Sequence, residues 1–320
     1  MDQLFPDADV DVIDGKGRQS AFIDQVFDHV FRKEGDTDPL LYHVTDQIGA
    51  AQFQNGAYFQ GGGGQGLVQK ASVGHSFFGE DEGVIQKVMD IQMRSGCQRM
   101  RGGSYEVSFD YPELGPRPLI DSIRVCIFRS LDMQTPPAGT DLDAYLSQEG
   151  NKFFNKAEKD YAEEMDADPD FYPTESYQQK IKLIANTSRY VSYSFEGHEY
   201  ATGAAHGLSW KYGFSFERTS GKTLTWNDIF TPTGLKQLIR IVDRQLRAQY
   251  YGPMGCEPSY SPSELTLPAA APVLTQKGIL FTYGAYEIGA YAEGLPHCTI
   301  PYHMLAALMT QKGKTLTNQK

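Results

Sequence analysis

Gln178 to Glu196 contains the two runs that decide the fold, Lys180-Ile-Lys-Leu-Ile-Ala185 and Tyr190-Val-Ser-Tyr-Ser-Phe195. Each is short and rich in β-branched and aromatic residues, and the link between them, Asn-Thr-Ser-Arg, is polar. Such a pattern predicts two consecutive strands joined by a turn. Trp210 to Glu217 predicts a third strand, closed by Thr219-Ser-Gly-Lys222, which has the composition of a hairpin turn.

Outward from this centre, strands and helices occur in groups. Tyr105 to Tyr111 alternates apolar and polar residues, which predicts a half-buried strand, and helices are predicted at 119–131, 141–165 and 233–250. Leu235, Leu238, Ile239, Val242 and Leu246 form the apolar face of the last helix. Gly278 to Tyr283 and Cys298 to Tyr302 predict two more strands, and Tyr302 to Leu308 a short terminal helix. The grouping predicts an α+β fold with mixed or antiparallel sheets, rather than a doubly wound sheet.

The N-terminal third of the sequence has weaker patterns. Residues 8–32 predict a strand followed by a helix, 40–83 a glycine-rich mobile loop, and 81–94 an amphipathic helix. Residues 10–32 also align without a gap on 107–129, which is a weak sign of an internal duplication. We therefore divide the chain into residues 1–103, of unknown type, a strand–helix module at 104–175, and a C-terminal domain at 176–320, the last two interlocked in one unit.

Composition and charge exclude several classes of protein. The 320 residues carry a net charge of −11 and are 40% hydrophobic, which is ordinary for a globular chain. An acidic surface repels phosphate backbones, so we expect no nucleic-acid partner. No apolar run reaches the 18 to 20 residues that a membrane-spanning helix needs, so none is expected.

The cysteines and the first residues leave two questions open. Cys97, Cys126, Cys256 and Cys298 match neither redox nor zinc spacing, but Cys256 and Cys298 could pair in an oxidising compartment. The sequence begins Met-Asp-Gln-Leu-Phe-Pro, without the basic and apolar segments of an export signal. Either the protein is cytoplasmic, or an export signal lies outside this sequence.

Three segments carry a resemblance to a bacterial family. They are the loop Ala201-Thr-Gly-Ala-Ala-His-Gly207, the strand and hairpin from Tyr212 to Phe230, and Phe281-Thr-Tyr-Gly-Ala-Tyr-Glu-Ile-Gly-Ala-Tyr-Ala-Glu-Gly294 followed by Thr299-Ile-Pro-Tyr302. Upstream, Tyr105 to Asp121 is similar to the module that precedes them. The chain thus resembles the paired domains of unknown function in the extracellular part of the lysozyme-sensing anti-sigma factor RsiV.

The same pair precedes the catalytic domain of some peptidoglycan deacetylases, and stands alone in exported proteins of gut Bacteroidetes. The resemblance covers roughly residues 104–310 and implies export to the periplasm or cell surface, by a lipoprotein signal outside this sequence. The sequence departs from the family pattern at Ala204 and Ala205, where a second glycine is commoner. The sequence has no deacetylase metal motif, so the resemblance does not imply that activity.

Catalytic and metal-binding alternatives find little support in the spacing. No histidine pair is spaced as in a zinc protease, and no serine lies in a nucleophile elbow. His198, Glu199 and His206 could converge as metal ligands, and Asp228, His206 and Ser209 could form a triad, but neither set has a local signature. We expect no metal and no cofactor.

The predicted binding surface combines the loop Thr202 to Ser209 with the segment Tyr283 to Glu293. Glycines let a backbone approach a partner, and His and Tyr supply flat faces with polar tips. The candidate binding residues are His206, Gly203, Gly207, Tyr283, Tyr286, Glu287, Tyr291 and Glu293.

We expect a non-catalytic envelope domain that binds a cell-wall glycan such as a peptidoglycan fragment, or a basic wall-lytic protein such as lysozyme. Glu287 and Glu293 would add attraction for a basic partner. The alternatives are an envelope hydrolase centred on His206, or a structural lipoprotein domain without a ligand. In the last case His206 and the tyrosines would only form hydrogen bonds between strands, inside the sheet.

Overall fold

The computed structural model describes residues 68–77, 87–96, 103–168 and 170–319. Its strands, in chain order, are β1 (Val68–Phe77), β2 (Lys87–Gly96), β3 (Ser104–Leu114), β4 (Ser176–Asn186), β5 (Tyr190–Tyr200), β6 (Leu208–Glu217), β7 (Val273–Leu274), β8 (Ile279–Thr282) and β9 (His297–Ile300). Its α-helices are α1 (Arg117–Ser130), α2 (Leu142–Asp160), α3 (Ala162–Ala167), α4 (Trp226–Ile229), α5 (Pro232–Leu246), α6 (Gly252–Met254), α7 (Tyr302–Leu305) and α8 (Gln311–Thr317). A π-helical turn, Arg247–Tyr251, continues α5 into α6.

Strands β1 to β6 form one sheet in sequence order. Every neighbouring pair is antiparallel except β3 and β4, which are parallel. A parallel pair needs a long crossover, and α1, α2 and α3 lie in the connection between these two strands. Because β3 and β4 are hydrogen-bonded partners, residues 104–175 and 176–320 contribute to the same sheet, and no boundary separates them near residue 170.

The two faces of this sheet differ because side chains alternate along each strand. Cross-strand register places Tyr177, Glu199 and Leu208 in one row on the face that α1 and α2 cover. Ile123 and Phe154 of the two helices are buried there against the sheet. The opposite face carries the next row, Gln178, His198 and Ser209.

A second core lies between α5 and the three-stranded antiparallel sheet β7-β8-β9. Leu238, Val242 and Leu246 of α5 are fully buried in it, while Leu235 and Ile239 are partly buried. This confirms the apolar face that the sequence predicts for this helix.

The second core is joined to the large sheet through β7. The Leu274 amide donates to the Ser215 hydroxyl at 2.8 Å, and a Cβ on Gly213 would lie 2.8 Å from a Val273 methyl. Strand β7 therefore packs on β5 and β6 on the face opposite α1 and α2. The α+β fold with mixed and antiparallel sheets is confirmed.

Two predictions for the N-terminal third are wrong. Residues 87–96, where the sequence analysis placed most of a helix, form β2, and 68–77, placed in a mobile loop, form β1. Residues 89–94 read Met-Asp-Ile-Gln-Met-Arg, an alternation with period two that fits a strand between two partners. The strand–helix at 8–32, and with it the first copy of the duplication, lies outside the described residues.

Two further sequence expectations concern cysteines and membrane helices. Cys126, Cys256 and Cys298 are free thiols, Cys256 at the surface and Cys298 in the second core, so the Cys256–Cys298 pairing does not occur. Among the helices of the described residues, none has the length and apolar character to cross a membrane.

Candidate functional site

The loop between β5 and β6 reaches out from the end of the large sheet. Its strands stay paired up to Glu199 and Leu208. Gly203, at the exposed tip, has a φ of +79°, a conformation that glycine adopts without a steric penalty. Gly207 is required for another reason, since a Cβ there would lie 2.3 Å from the His198 ring and 2.7 Å from the Glu199 carbonyl oxygen.

The segment after β8 approaches this loop from the second sheet. Tyr286 is 37% exposed and has a φ of +65°, in the left-handed region that a bulky residue seldom occupies. A 3-10 turn at Tyr291–Glu293 follows it. Contacts of Tyr286 with His206 and of Tyr291 with Gly207 place the Thr202–Ser209 loop and the Tyr283–Glu293 segment side by side.

His206, Tyr286 and Tyr291 meet in what we call the aromatic cluster. The His206 and Tyr291 rings stack with centroids 4.1 Å apart and planes inclined by 18°. The Tyr286 ring tilts by 31° against Tyr291 at 5.5 Å. His206 and Tyr291 are half-buried and Tyr286 is exposed, so one edge of the cluster faces solvent.

Hydrogen bonds orient the cluster. His206 Nδ1 lies 2.9 Å from the Gly207 carbonyl oxygen, which can only accept, so Nδ1 carries the proton. In the neutral ring, Nε2 is then an acceptor for the Tyr286 hydroxyl at 3.3 Å. The Tyr291 hydroxyl donates to the same Gly207 carbonyl. The shared carbonyl ties the histidine and Tyr291 to the end of β6.

Three of the predicted binding residues, Tyr283, Glu287 and Glu293, form hydrogen bonds within the fold. Tyr283 is fully buried and its hydroxyl donates to the Thr266 carbonyl at 2.8 Å, so it cannot reach a ligand at the surface. The Glu287 carboxylate accepts from the amides of Ala269 and Gly284, at 2.7 and 2.6 Å. Burial raises the pKa of Glu287, and these bonds act against it.

Glu293 likewise stabilises the fold. Its carboxylate accepts from the Tyr251 hydroxyl at 2.9 Å, and its carbonyl from the Tyr250 hydroxyl at 2.7 Å. The π-helical turn brings both tyrosines towards Glu293. The sequence does not reveal this contact, because a π-helical turn leaves no mark in an amphipathic helix pattern.

The structure does not assemble the catalytic triad considered from the sequence. Ser209 Oγ contacts His198 Nδ1 at 2.9 Å, a contact between cross-strand partners. Asp228 instead forms a capping box with Thr225 at the start of α4, and accepts a 3.0 Å hydrogen bond from Lys312. His206, the third member, bonds to Gly207 and Tyr286.

Nor do the three metal-ligand candidates converge. His198 and Glu199 are consecutive on β5, so their side chains point to opposite faces of the sheet. Within the described ranges, no group of three or more His, Cys, Asp or Glu side chains is arranged to hold a metal ion.

The sequence does not predict that the carboxyl groups of Glu175 and Glu199 lie close together near the loop. Glu199 lies at the end of β5 on the helix-covered face, and burial together with the neighbouring Glu175 raises its pKa to about 7. The alternation along β5 predicts the face, but 24 positions separate the two carboxyls in the sequence, and only the β4–β5 pairing brings them together.

Residues 227–303 match the sequence model of a family described as "Protein of unknown function (DUF3298)". The matched segment begins in α4 and ends in α7, and includes α5 and the three strands of the small sheet. A crystal structure of a DUF3298 family member from Bacteroides fragilis superposes with a TM-score of 0.56 at 18% identity, covering 77% of this chain and 96% of that one.

A DUF3298 family protein from Pseudomonas aeruginosa gives a TM-score of 0.45 at 14% identity, covering 77% of this chain and 95% of that one. At 18% identity, the similarity to the Bacteroides fragilis structure concerns the fold alone. No curated protein sequence matches the chain.

Proposed function

We propose that this chain is a non-catalytic binding domain of the cell envelope, and that the aromatic cluster holds a cell-wall glycan. The observation that carries the proposal is Tyr286, which is exposed in a left-handed conformation beside a stacked His206–Tyr291 pair. A bulky residue in that conformation costs free energy, and such strain concentrates at ligand-binding positions.

The chemistry of the cluster suits a sugar. Aromatic rings offer flat apolar faces to the C–H face of a pyranose, and their hydroxyl and imidazole tips form hydrogen bonds with its hydroxyls. The Tyr286 hydroxyl and His206 Nε2 lie at the exposed edge, where a ligand could exchange hydrogen bonds with them.

A basic protein such as lysozyme is the second candidate, and charge is the observation that favours it. The chain carries a net charge of −11, which attracts cations at a distance. Beside the cluster, however, the carboxylates of Glu287 and Glu293 accept hydrogen bonds from within the fold. Local charge therefore favours the glycan over the basic protein.

The envelope location is part of the same proposal. It rests on the resemblance to exported proteins, and it predicts that the full-length gene product fractionates with the periplasm or the membrane. Recovery of that product in the cytosol would contradict it.

Binding can be tested with insoluble peptidoglycan, soluble chitooligosaccharides and lysozyme, each against the wild type, His206→Ala and Tyr286→Ala. We expect sugar binding in the wild type, and a loss of about tenfold or more in either variant. Met254→Ala is the matched control, because Met254 is a large apolar side chain that is 51% exposed outside both loops.

The outcomes separate the candidates. Binding to lysozyme alone would replace the glycan with the second candidate. Sugar binding that persists in both His206→Ala and Tyr286→Ala would show that the glycan site lies outside the aromatic cluster. Absence of binding to all three probes would overturn the proposed function.

A further inference from the structure

Two carboxyl groups, those of Glu175 and Glu199, lie near the point where the β5–β6 loop leaves β5. Glu199 is the cross-strand partner of Tyr177 on β4 and of Leu208 on β6, and its side chain lies on the helix-covered face. Glu175 immediately precedes β4, whose first residue pairs with Tyr200, and its bond to Tyr161 places its carboxylate on the same helix-covered face as Glu199. His206 of the aromatic cluster lies farther along the loop, next to Gly207.

Glu175 fastens the loop to the helical layer. One carboxylate oxygen accepts from the Tyr161 hydroxyl at 2.9 Å and from the Thr202 amide at 3.2 Å. Beside it, the Thr174 amide donates to the Thr202 hydroxyl at 2.7 Å. Both bonds to Glu175 require its acceptor oxygen to stay in place.

The surroundings of Glu199 disfavour its charged form. Burial is the larger cause and the Glu175 carboxylate the second, and together they raise the pKa of Glu199 to about 7. The other groups facing it are the Tyr177 phenol on β4, Leu208 and Trp210 on β6, and Tyr161, which reaches Glu175 from the α2–α3 junction.

These neighbours supply no compensating charge. Tyr177 stays neutral because burial raises its pKa well above the ordinary value, and the Tyr105 ring stacked on it is neutral for the same reason. His198 and Lys180 are on the other face of the sheet. Ionised Glu199 therefore meets a second carboxylate in a poorly solvated position.

We propose that Glu175 and Glu199 form a proton-controlled latch for the loop at residues 201–207. With Glu199 protonated, Glu175 keeps its bonds to Tyr161 and Thr202, and the loop stays docked. When Glu199 ionises, repulsion between the two carboxylates displaces Glu175, and the loop is released. His206 then leaves Tyr286 and Tyr291.

The consequence for a ligand rests on the proposed function, but the latch itself does not. Because the docked loop completes the aromatic cluster, glycan affinity should fall as the pH rises through about 7. Below about pH 7 the loop would stay docked, and above it the loop would be released.

The latch can be tested without a ligand by amide hydrogen exchange of residues 201–207 at pH 6 and pH 8, corrected for intrinsic exchange rates. Moving from one pH unit below the pKa of Glu199 to one above changes its protonated-to-ionised ratio by about a hundredfold. We expect the wild-type loop to lose protection about tenfold or more. Glu199→Gln, which stays neutral, should remain protected at both values.

Glu196→Gln is the matched control, since Glu196 lies on the same strand but on the opposite, polar face, paired with Lys211. It should behave as the wild type. Equal protection of the wild-type loop at both pH values, or an equal loss in Glu199→Gln, would overturn the latch.

Chitooligosaccharide binding measured over the same pH range separates the two proposals. Loop release without any sugar binding would keep the latch and remove the proposed function. Sugar binding by a protein whose loop is equally protected at every pH would keep the proposed function and remove the latch.

Discussion

The His206 ring lies against Tyr291 with centroids 4.1 Å apart, although the two residues lie in segments that connect the strands of different sheets. His206 comes from the loop that ends β5, and Tyr291 from the segment between β8 and β9. Both bond to the Gly207 carbonyl, so one backbone oxygen fixes the contact between two layers. The exposed Tyr286 ring completes the aromatic cluster, which therefore forms only where the two segments meet.

The two glycines of the loop should respond differently to alanine. A Cβ at Gly207 would overlap the His198 ring and the Glu199 carbonyl, so we expect Gly207→Ala to lower the free energy of unfolding by about 2 to 3 kcal/mol. A Cβ at Gly203 would meet no non-neighbouring atom within 4 Å, and the positive φ alone should cost about 1 kcal/mol. Urea unfolding of both variants measures the difference. Equal losses would contradict these separate roles.

Strain at Tyr286 can be measured by comparing two variants. Tyr286→Ala and Tyr286→Gly both remove the ring, but only glycine relaxes the left-handed backbone at +65°. We expect the glycine variant to unfold with about 1 kcal/mol more free energy than the alanine variant. If the alanine variant is as stable as the glycine variant, the conformation stores no strain.

The capping box at α4 should make part of the stability dependent on acid. Burial works to raise the pKa of Asp228, but hydrogen bonds from Thr225 and Lys312, with the Lys312 charge, hold it below its ordinary value. A lowered pKa adds stability above the unfolded pKa, and this is lost as the pH falls through the folded value.

We expect Asp228→Asn to lower the free energy of unfolding at pH 7 by about 1 to 2 kcal/mol and to reduce the loss between pH 5 and pH 2. Asp121→Asn is the control, because Asp121 is paired with Arg117 in solvent and should cost less than about 0.5 kcal/mol. A larger effect at Asp121 would contradict the assignment.

The three described cysteines should differ in reactivity. Cys256 is exposed, whereas burial raises the pKa of the Cys126 and Cys298 thiols to about 12. In a Cys97→Ser background, a thiol reagent at pH 8 should label one cysteine in the folded protein and three after denaturation. Rapid labelling of Cys298 in the folded protein would place it outside the core.

Local patterns in the sequence were sufficient for elements whose partners lie nearby in the chain. The β4–β5 hairpin and the buried stripe of α5 follow from alternation and helical spacing, which act within a few residues. The predicted proximity of the His206 loop and the Tyr286 segment came from the glycine, histidine and tyrosine that both contain, and the structure shows the contact. Their binding of a ligand stays a prediction.

The tertiary structure decided what depends on partners distant in the sequence. β2 is a strand because β1 and β3 supply its hydrogen bonds, whereas its segment alone was assigned to a helix. Tyr283 and Tyr286 are three residues apart and equally aromatic, yet one is fully buried and the other exposed. Likewise, the raised pKa of Glu199 depends on Glu175, which the sheet brings near it. Burial and electrostatics arise from packing between distant segments, so residue type and spacing alone do not specify them.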